Sequence, residues 1–165
     1  MNLTIPQDSN WTRSPSTFGT IVAAPNSTGA VGNITVNNTG NVRVSLQYLR
    51  SGAGATMVSV VPAAVDLEKQ TVTQAQVTYA IGASTPPGLY NVTITTRNVD
   101  GSRENYTYLT LNVTDTPPQF TALNITPSEL ELFLENVSIS ANLTDNFGVS
   151  AAWANITLPN GTNNT

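Results

Sequence analysis

The sequence predicts an all-β protein: one complete β-sandwich followed by a second, incomplete module of the same kind. Three observations predict it. Apolar residues recur at every second position in short runs, and Gly, Pro, Asn and Asp punctuate those runs. No stretch of ten residues carries a helical period. With 165 residues, the chain accommodates a full sandwich of about 100 residues and part of another.

Residues 1–15 read as a polar N-terminal extension, strand-like only at Leu3-Thr4-Ile5, a candidate donor strand for a neighbour. Seven period-2 segments follow, near 17–23, 31–37, 42–50, 56–61, 71–80, 89–97 and 104–114. In the third, Val42, Val44, Leu46 and Tyr48 take one face while Arg43, Ser45 and Gln47 take the other. Val99-Asp100-Gly101-Ser102 makes a tight turn between the last two segments. Together these define a sandwich domain over 16–115. Asp115-Thr116-Pro117-Pro118 opens a stiff linker, placed at 116–119, because paired prolines favour extended chain. The partial second module is expected over 120–165, with only three or four strands. A half sandwich leaves an apolar face and an open edge. Either the protein continues beyond this sequence, or a neighbouring subunit completes the sheet by strand addition.

Two stretches carry a family resemblance. Gly32-Asn33-Ile34-Thr35-Val36-Asn37-Asn38-Thr39-Gly40-Asn41 and Pro86-Pro87-Gly88-Leu89-Tyr90-Asn91-Val92-Thr93-Ile94 together resemble the pattern of CARDB-like immunoglobulin-fold modules. Glu135 to Val149 resembles the second-strand region of another such surface-protein repeat, and echoes residues 32–42. The resemblance implies an immunoglobulin-like sandwich from an archaeal or bacterial cell-surface protein, or a spacer in a secreted hydrolase. It implies no particular activity, because such modules share a fold and not a function.

Composition excludes whole classes of function. Charged residues are 10% of the chain, the net charge is −4 and the single lysine is Lys69, which argues against nucleic acid and anionic membrane surfaces. Without cysteine there is no disulfide, thiolate nucleophile or thiolate metal site. Without histidine there is no Ser-His-Asp triad and no ordinary zinc site. The most apolar stretch, Met57–Val65, is too short to span a bilayer and is interrupted by Pro62. The N-terminus lacks the basic flank and apolar core of a signal peptide, so a leader has been removed or the chain is part of a longer one.

The strongest motif is the N-glycosylation sequon, Asn-x-Ser/Thr. It starts at Asn2, Asn10, Asn26, Asn33, Asn37, Asn91, Asn105, Asn112, Asn124, Asn136, Asn142, Asn155, Asn160 and Asn163, which is 14 of 19 asparagines. Ser and Thr are 38 of 165 residues, so chance supplies roughly 4 sequons. Strand phase agrees with the count. Asn33 and Asn37 oppose Ile34 and Val36, and Asn91, Asn112 and Asn136 likewise oppose the apolar set of their strands. Asn124, whose Thr126 precedes Pro127, and the near-terminal Asn163 are the least favourable sites. Sugars on the outer strand faces would solvate a surface that has few charges.

Other constellations are weaker. Asp115, Asp145 and Asn146 sit near the module junction, but the six to eight oxygens that calcium needs are not supplied there, so they read as turn formers and no metal is expected. Glu129, Glu131 and Glu135 have no oriented partner, and Glu129 and Glu131 read as the solvated side of a strand; no catalytic residue is expected. Tyr106 and Tyr108 fall on the outer face of the last segment, and Trp153 shares phase with Asn155; these three are the candidate interface residues. The expected role is non-enzymatic: a secreted structural glycoprotein of a surface layer, sheath or filament. It would need no cofactor beyond N-linked glycans and would assemble with neighbouring subunits. The alternative is an adhesin, or a carbohydrate-binding or spacer module of a larger secreted protein.

Overall fold

A computed structural model describes residues 6–115, 117–126, 138–145, 148–149, 151–154, 156–157 and 163–164. The strand-like Leu3–Ile5, the glutamates 129, 131 and 135, Asn146 and the sequons at 2, 136, 155 and 160 lie outside the described residues, as does the side chain of Asn163. The chain divides into two compact units, Met1–Asp115 and Thr116–Thr165.

Unit 1 is a two-sheet β-sandwich. Its strands are β1 (Trp11–Ser14), β2 (Thr17–Ala23), β3 (Thr28–Asn38), β4 (Val44–Ser51), β5 (Val58–Val61), β6 (Ala64–Leu67), β7 (Val72–Ala80), β8 (Gly88–Asn98) and β9 (Glu104–Val113). One sheet runs β1-β3-β7-β5 and the other β2-β9-β8-β4-β6. All pairings are antiparallel except β2 on β9, which is parallel. The chain crosses between sheets at Pro15, after a cis Ser14–Pro15 bond.

Alternation builds the core. Ile34, Val36, Val58, Val60, Ala75 and Val77 face inward from the first sheet, and Val44, Leu46, Val92, Ile94, Leu109, Leu111 and Val113 from the second. Burying each Val, Leu or Ile among them contributes roughly 1.5–3 kcal/mol before chain entropy is counted. Trp11 is fully buried, and its indole N–H donates to Asn98 Oδ1 at 2.6 Å. Residues 8–10 lie along the β3–β4 turn, where the Thr39 and Gly40 amides donate to the Asn10 carbonyl and the Asn41 amide to that of Asp8. A Cβ on Gly40 would stand 2.1 Å from the Asp8 carbonyl oxygen, so glycine is required for this approach.

Two strands differ from the sequence expectation. The supposed extension 1–15 contains β1, paired with β3 from Trp11↔Asn38 to Ser14↔Thr35. Four residues with Arg13 in the inward phase give no readable hydrophobic alternation; the tertiary pairing makes the strand. β6, as short, follows Pro62 and Ala63 and pairs with β4 through Leu46↔Val65. Short edge strands of this kind also limit unwanted edge-to-edge pairing.

In unit 2, β10 (Gln119–Thr126) pairs antiparallel with β11 (Ser138–Thr144), with a bulge between Phe120 and Ala122. The bulge restores phase, so that Phe120↔Leu143, Leu123↔Ala141 and Ile125↔Ile139 all share one face. The opposite face is polar and carries Asn124 and Asn142. Phe120, Leu123, Ile125 and Ile139 remain 60%, 56%, 45% and 42% exposed. β12 (Ile156–Thr157) and β13 (Asn163–Asn164) form a two-residue pairing.

Candidate functional site

The asparagines separate into two populations. Asn38, Asn41 and Asn98 are not in sequons, and each spends its Nδ2 inside the fold. Asn38 Nδ2 donates to the carbonyls of Val42 at 2.8 Å and of Leu67 and Glu68 at 3.1 Å; Asn41 donates to Pro6 at 2.9 Å and Asn98 to Ser102 Oγ at 2.8 Å. Among the described sequon asparagines, only Asn33 uses its Nδ2, in a 3.3 Å bond to the exposed Gln74 Oε1. The nitrogen to which a glycan would attach is thus free, or loosely held, at these positions.

Their placement follows from the strands. Asn33 and Asn37 stand on the outer face of the first sheet, opposite Gln76 and Val72. Thr12, Ser14, Thr35, Ser59, Val61, Gln74 and Thr78 share that face, with no charge among them. Asn91 and Asn112 stand on the outer face of the second sheet. Asn91 Oδ1 accepts from Thr110 Oγ1 at 2.9 Å. Asn26 occupies the β2–β3 turn with φ 55°, a left-handed conformation that asparagine tolerates. Asn10 precedes β1, and its Oδ1 accepts from the Arg103 guanidinium, which itself lies 5.3 Å from the Trp11 ring centroid. Asn124 and Asn142 are exposed on the polar face of unit 2.

Asn105 departs from this pattern. It lies in the inward phase of β9 with Thr107, Leu109, Leu111 and Val113, directly opposite the buried Thr96. The third residue of its sequon, Thr107, is fully buried, and its hydroxyl donates to the Pro15 carbonyl at 3.1 Å. Thr96 in turn faces Tyr48, so Tyr48, Thr96 and Asn105 form one inward row across three strands. The hydroxyls of Tyr48 and Thr96 are buried without a partner among the described residues. Burial pushes the Tyr48 phenol up to about 12.

The three candidate interface residues are all on the surface. Tyr106 and Tyr108 are 41% and 54% exposed on the outer face of the second sheet. The Tyr106 hydroxyl donates to Glu104 Oε2 at 2.8 Å, and this bond, with the carboxylate charge, raises its pKa. Trp153 is 88% exposed and lines an open apolar depression of about 310 Å³ in unit 2 with Phe120, Leu143 and Val149. Sequence reading did not single out Val22 and Leu89, which flank Asn112 and are 64% and 68% exposed. The only signal for them was an apolar residue in the outward phase.

Two further depressions, of about 420 and 410 Å³, lie near one end of the sandwich around residues 8–10 and 98–103. Their charged groups are single and scattered: Arg43 and Asp100 in one, Asp8 and Arg103 in the other. Hydrogen bonds from Ser102, chiefly its backbone amide, hold the Asp100 carboxyl below the usual range. Among the described residues no three acidic side chains converge.

Solved structures place this architecture. A PapD-like (ASH) domain of human CEP192, its PapD-like domain 7, is similar at a TM-score of 0.51 and 13% identity, over 71% of this chain and 94% of that domain. The fold is an immunoglobulin-like β-sandwich. A family 123 glycoside hydrolase from Clostridium perfringens is also similar, at a TM-score of 0.50 and 13% identity, over 60% of this chain. That match spans only 23% of the hydrolase. No protein-family model matches the chain, and no curated protein sequence does. At such identities the likeness speaks to the fold alone, and at that level it agrees with the resemblance read from residues 32–41 and 86–94.

Proposed function

We propose that this chain is a non-catalytic, extracellular structural glycoprotein, contributing immunoglobulin-like modules to a surface layer, sheath or filament. The division of the asparagines carries the reading. Those that build the fold lack the hydroxyl residue two positions on, whereas the described sequon asparagines face outward with Nδ2 free or, at Asn33, loosely held, Asn105 excepted. Glycans there would supply the hydration that an uncharged outer face cannot. The CARDB-like resemblance supports an archaeal or bacterial surface protein as the source.

The exposed apolar face of β10 and β11 supports the assembly half of the reading. Its Phe120, Leu123, Ile125 and Ile139 gain most if further β-structure covers them, and a neighbouring subunit adding a strand is one route. Electron microscopy of native material tests this. A regular polymer or lattice is expected, and a monodisperse monomer sinks the structural role. The alternative is a spacer in a larger secreted enzyme, which the CARDB-like resemblance also allows. A catalytic domain adjoining these modules in the full open reading frame would select it.

A further inference from the structure

The outer face of the second sheet contains a grid of nine outward residues, read straight from the register. Its rows are Val22, Asn112 and Leu89; then Thr20, Thr110 and Asn91; then Thr17, Tyr108 and Thr93. None is charged. Val22, Leu89 and Tyr108 are 64%, 68% and 54% exposed. Both sequon asparagines sit among them. Asn112 stands directly between Val22 and Leu89, and Asn91 is the diagonal neighbour of Tyr108 and two residues from Leu89 on the same strand. Opposed side chains have Cβ atoms about 5 Å apart and diagonal ones about 7–8 Å. The first sugar on either amide therefore reaches the apolar groups without any change in the sheet.

From this we infer that the glycans on Asn91 and Asn112 lie down on the sheet, with the first sugar of Asn91 stacked on the Tyr108 ring. This rests on the glycosylation reading. The chemistry fits the grid. A pyranose has an apolar C–H face, which an electron-rich aromatic face accepts, and a rim of hydroxyls, which Thr20 and Thr93 can meet. The Tyr108 hydroxyl makes no hydrogen bond among the described residues, unlike that of Tyr106. Thr110 Oγ1 holds the Asn91 amide oxygen at 2.9 Å, which restricts how the attached sugar is presented. With sugars on both asparagines, the strip is screened from other macromolecules, so its occupant is the chain's own glycan. Asn33 is the internal contrast, because its face neighbours Thr35, Gln74 and Gln76 offer no apolar surface.

The test uses the native glycoprotein with Tyr108→Ala, Asn91→Gln and the double variant. Glycopeptide mass spectrometry comes first: an empty Asn91 defeats the glycosylation reading at this site. With Asn91 occupied, the proton signals of its first sugar should lie upfield of those on Asn33, through the ring current, and Tyr108→Ala should abolish the difference. Asn91→Gln should lower Tm by about 3 °C more when Tyr108 is present than in the alanine background, where only the Thr110 bond is lost. An occupied Asn91 whose sugar signals match those on Asn33, or whose loss lowers Tm equally in both backgrounds, overturns the stacking.

Discussion

Asn38 holds three backbone carbonyls with one amide nitrogen, and its own oxygen accepts from the Gly40 amide at 3.0 Å. Replacing it with alanine leaves those buried groups unpaired, a cost of about 1–3 kcal/mol. Denaturant unfolding of Asn38→Ala should show an unfolding free energy lowered by that amount, while glycan occupancy elsewhere stays the same. Tyr48 gives a second prediction, from its phenol pushed up from 10 to about 12. Below pH 10 the phenol is protonated in both states. Between pH 10 and about 12 only the unfolded chain releases the proton, so stability falls with rising pH across that window. Tyr48→Phe should flatten this alkaline loss in unfolding curves measured across that window. At this scale, sequence separated sequon asparagines from structural ones by the hydroxyl residue two positions on. The alternation that puts Tyr106 and Tyr108 outward also puts Asn105 inward with Leu109, but the Thr107 hydroxyl reaching Pro15, 92 residues away, is not legible in the sequence.

At the scale of elements, strands with three or more inward apolar residues were readable from alternation; β2 runs Thr17–Ala23, the expected 17–23. β1 and β6 were not, since β1 has Arg13 in its inward phase and β6 follows β5 with only Pro62 and Ala63 between them. The bulge between Phe120 and Ala122 is a further case: it places Phe120 on the same face as Leu123 and Ile125, which strict alternation would not. That face yields a prediction. Leu123 and Ile125 are about half exposed, so Leu123→Asp or Ile125→Asp should change unfolding stability by no more than about 0.5 kcal/mol, as a surface substitution does. Sedimentation should show self-association abolished, because a charge would then have to be buried in any sheet-on-sheet or strand contact.

For the whole molecule the physical problem is solvation. Only 10% of the residues are charged, against about 25% in an average domain, and the outer face of the β1-β3-β7-β5 sheet has none. Deglycosylated protein should therefore keep its β-sheet circular dichroism yet precipitate at concentrations where the native glycoprotein stays dispersed; light scattering on the two preparations shows which. The fold class was legible because period-2 alternation and turn residues are local signals. The exposed strip of Val22, Leu89 and Tyr108 was not, because three different strands supply it. The most direct measurement of the central claim is site-resolved glycopeptide mass spectrometry of native protein. Glycans on Asn33, Asn37, Asn91 and Asn112, with Asn38, Asn41, Asn98 and Asn105 bare, is the predicted result. Bare amides at those four outward positions would contradict it.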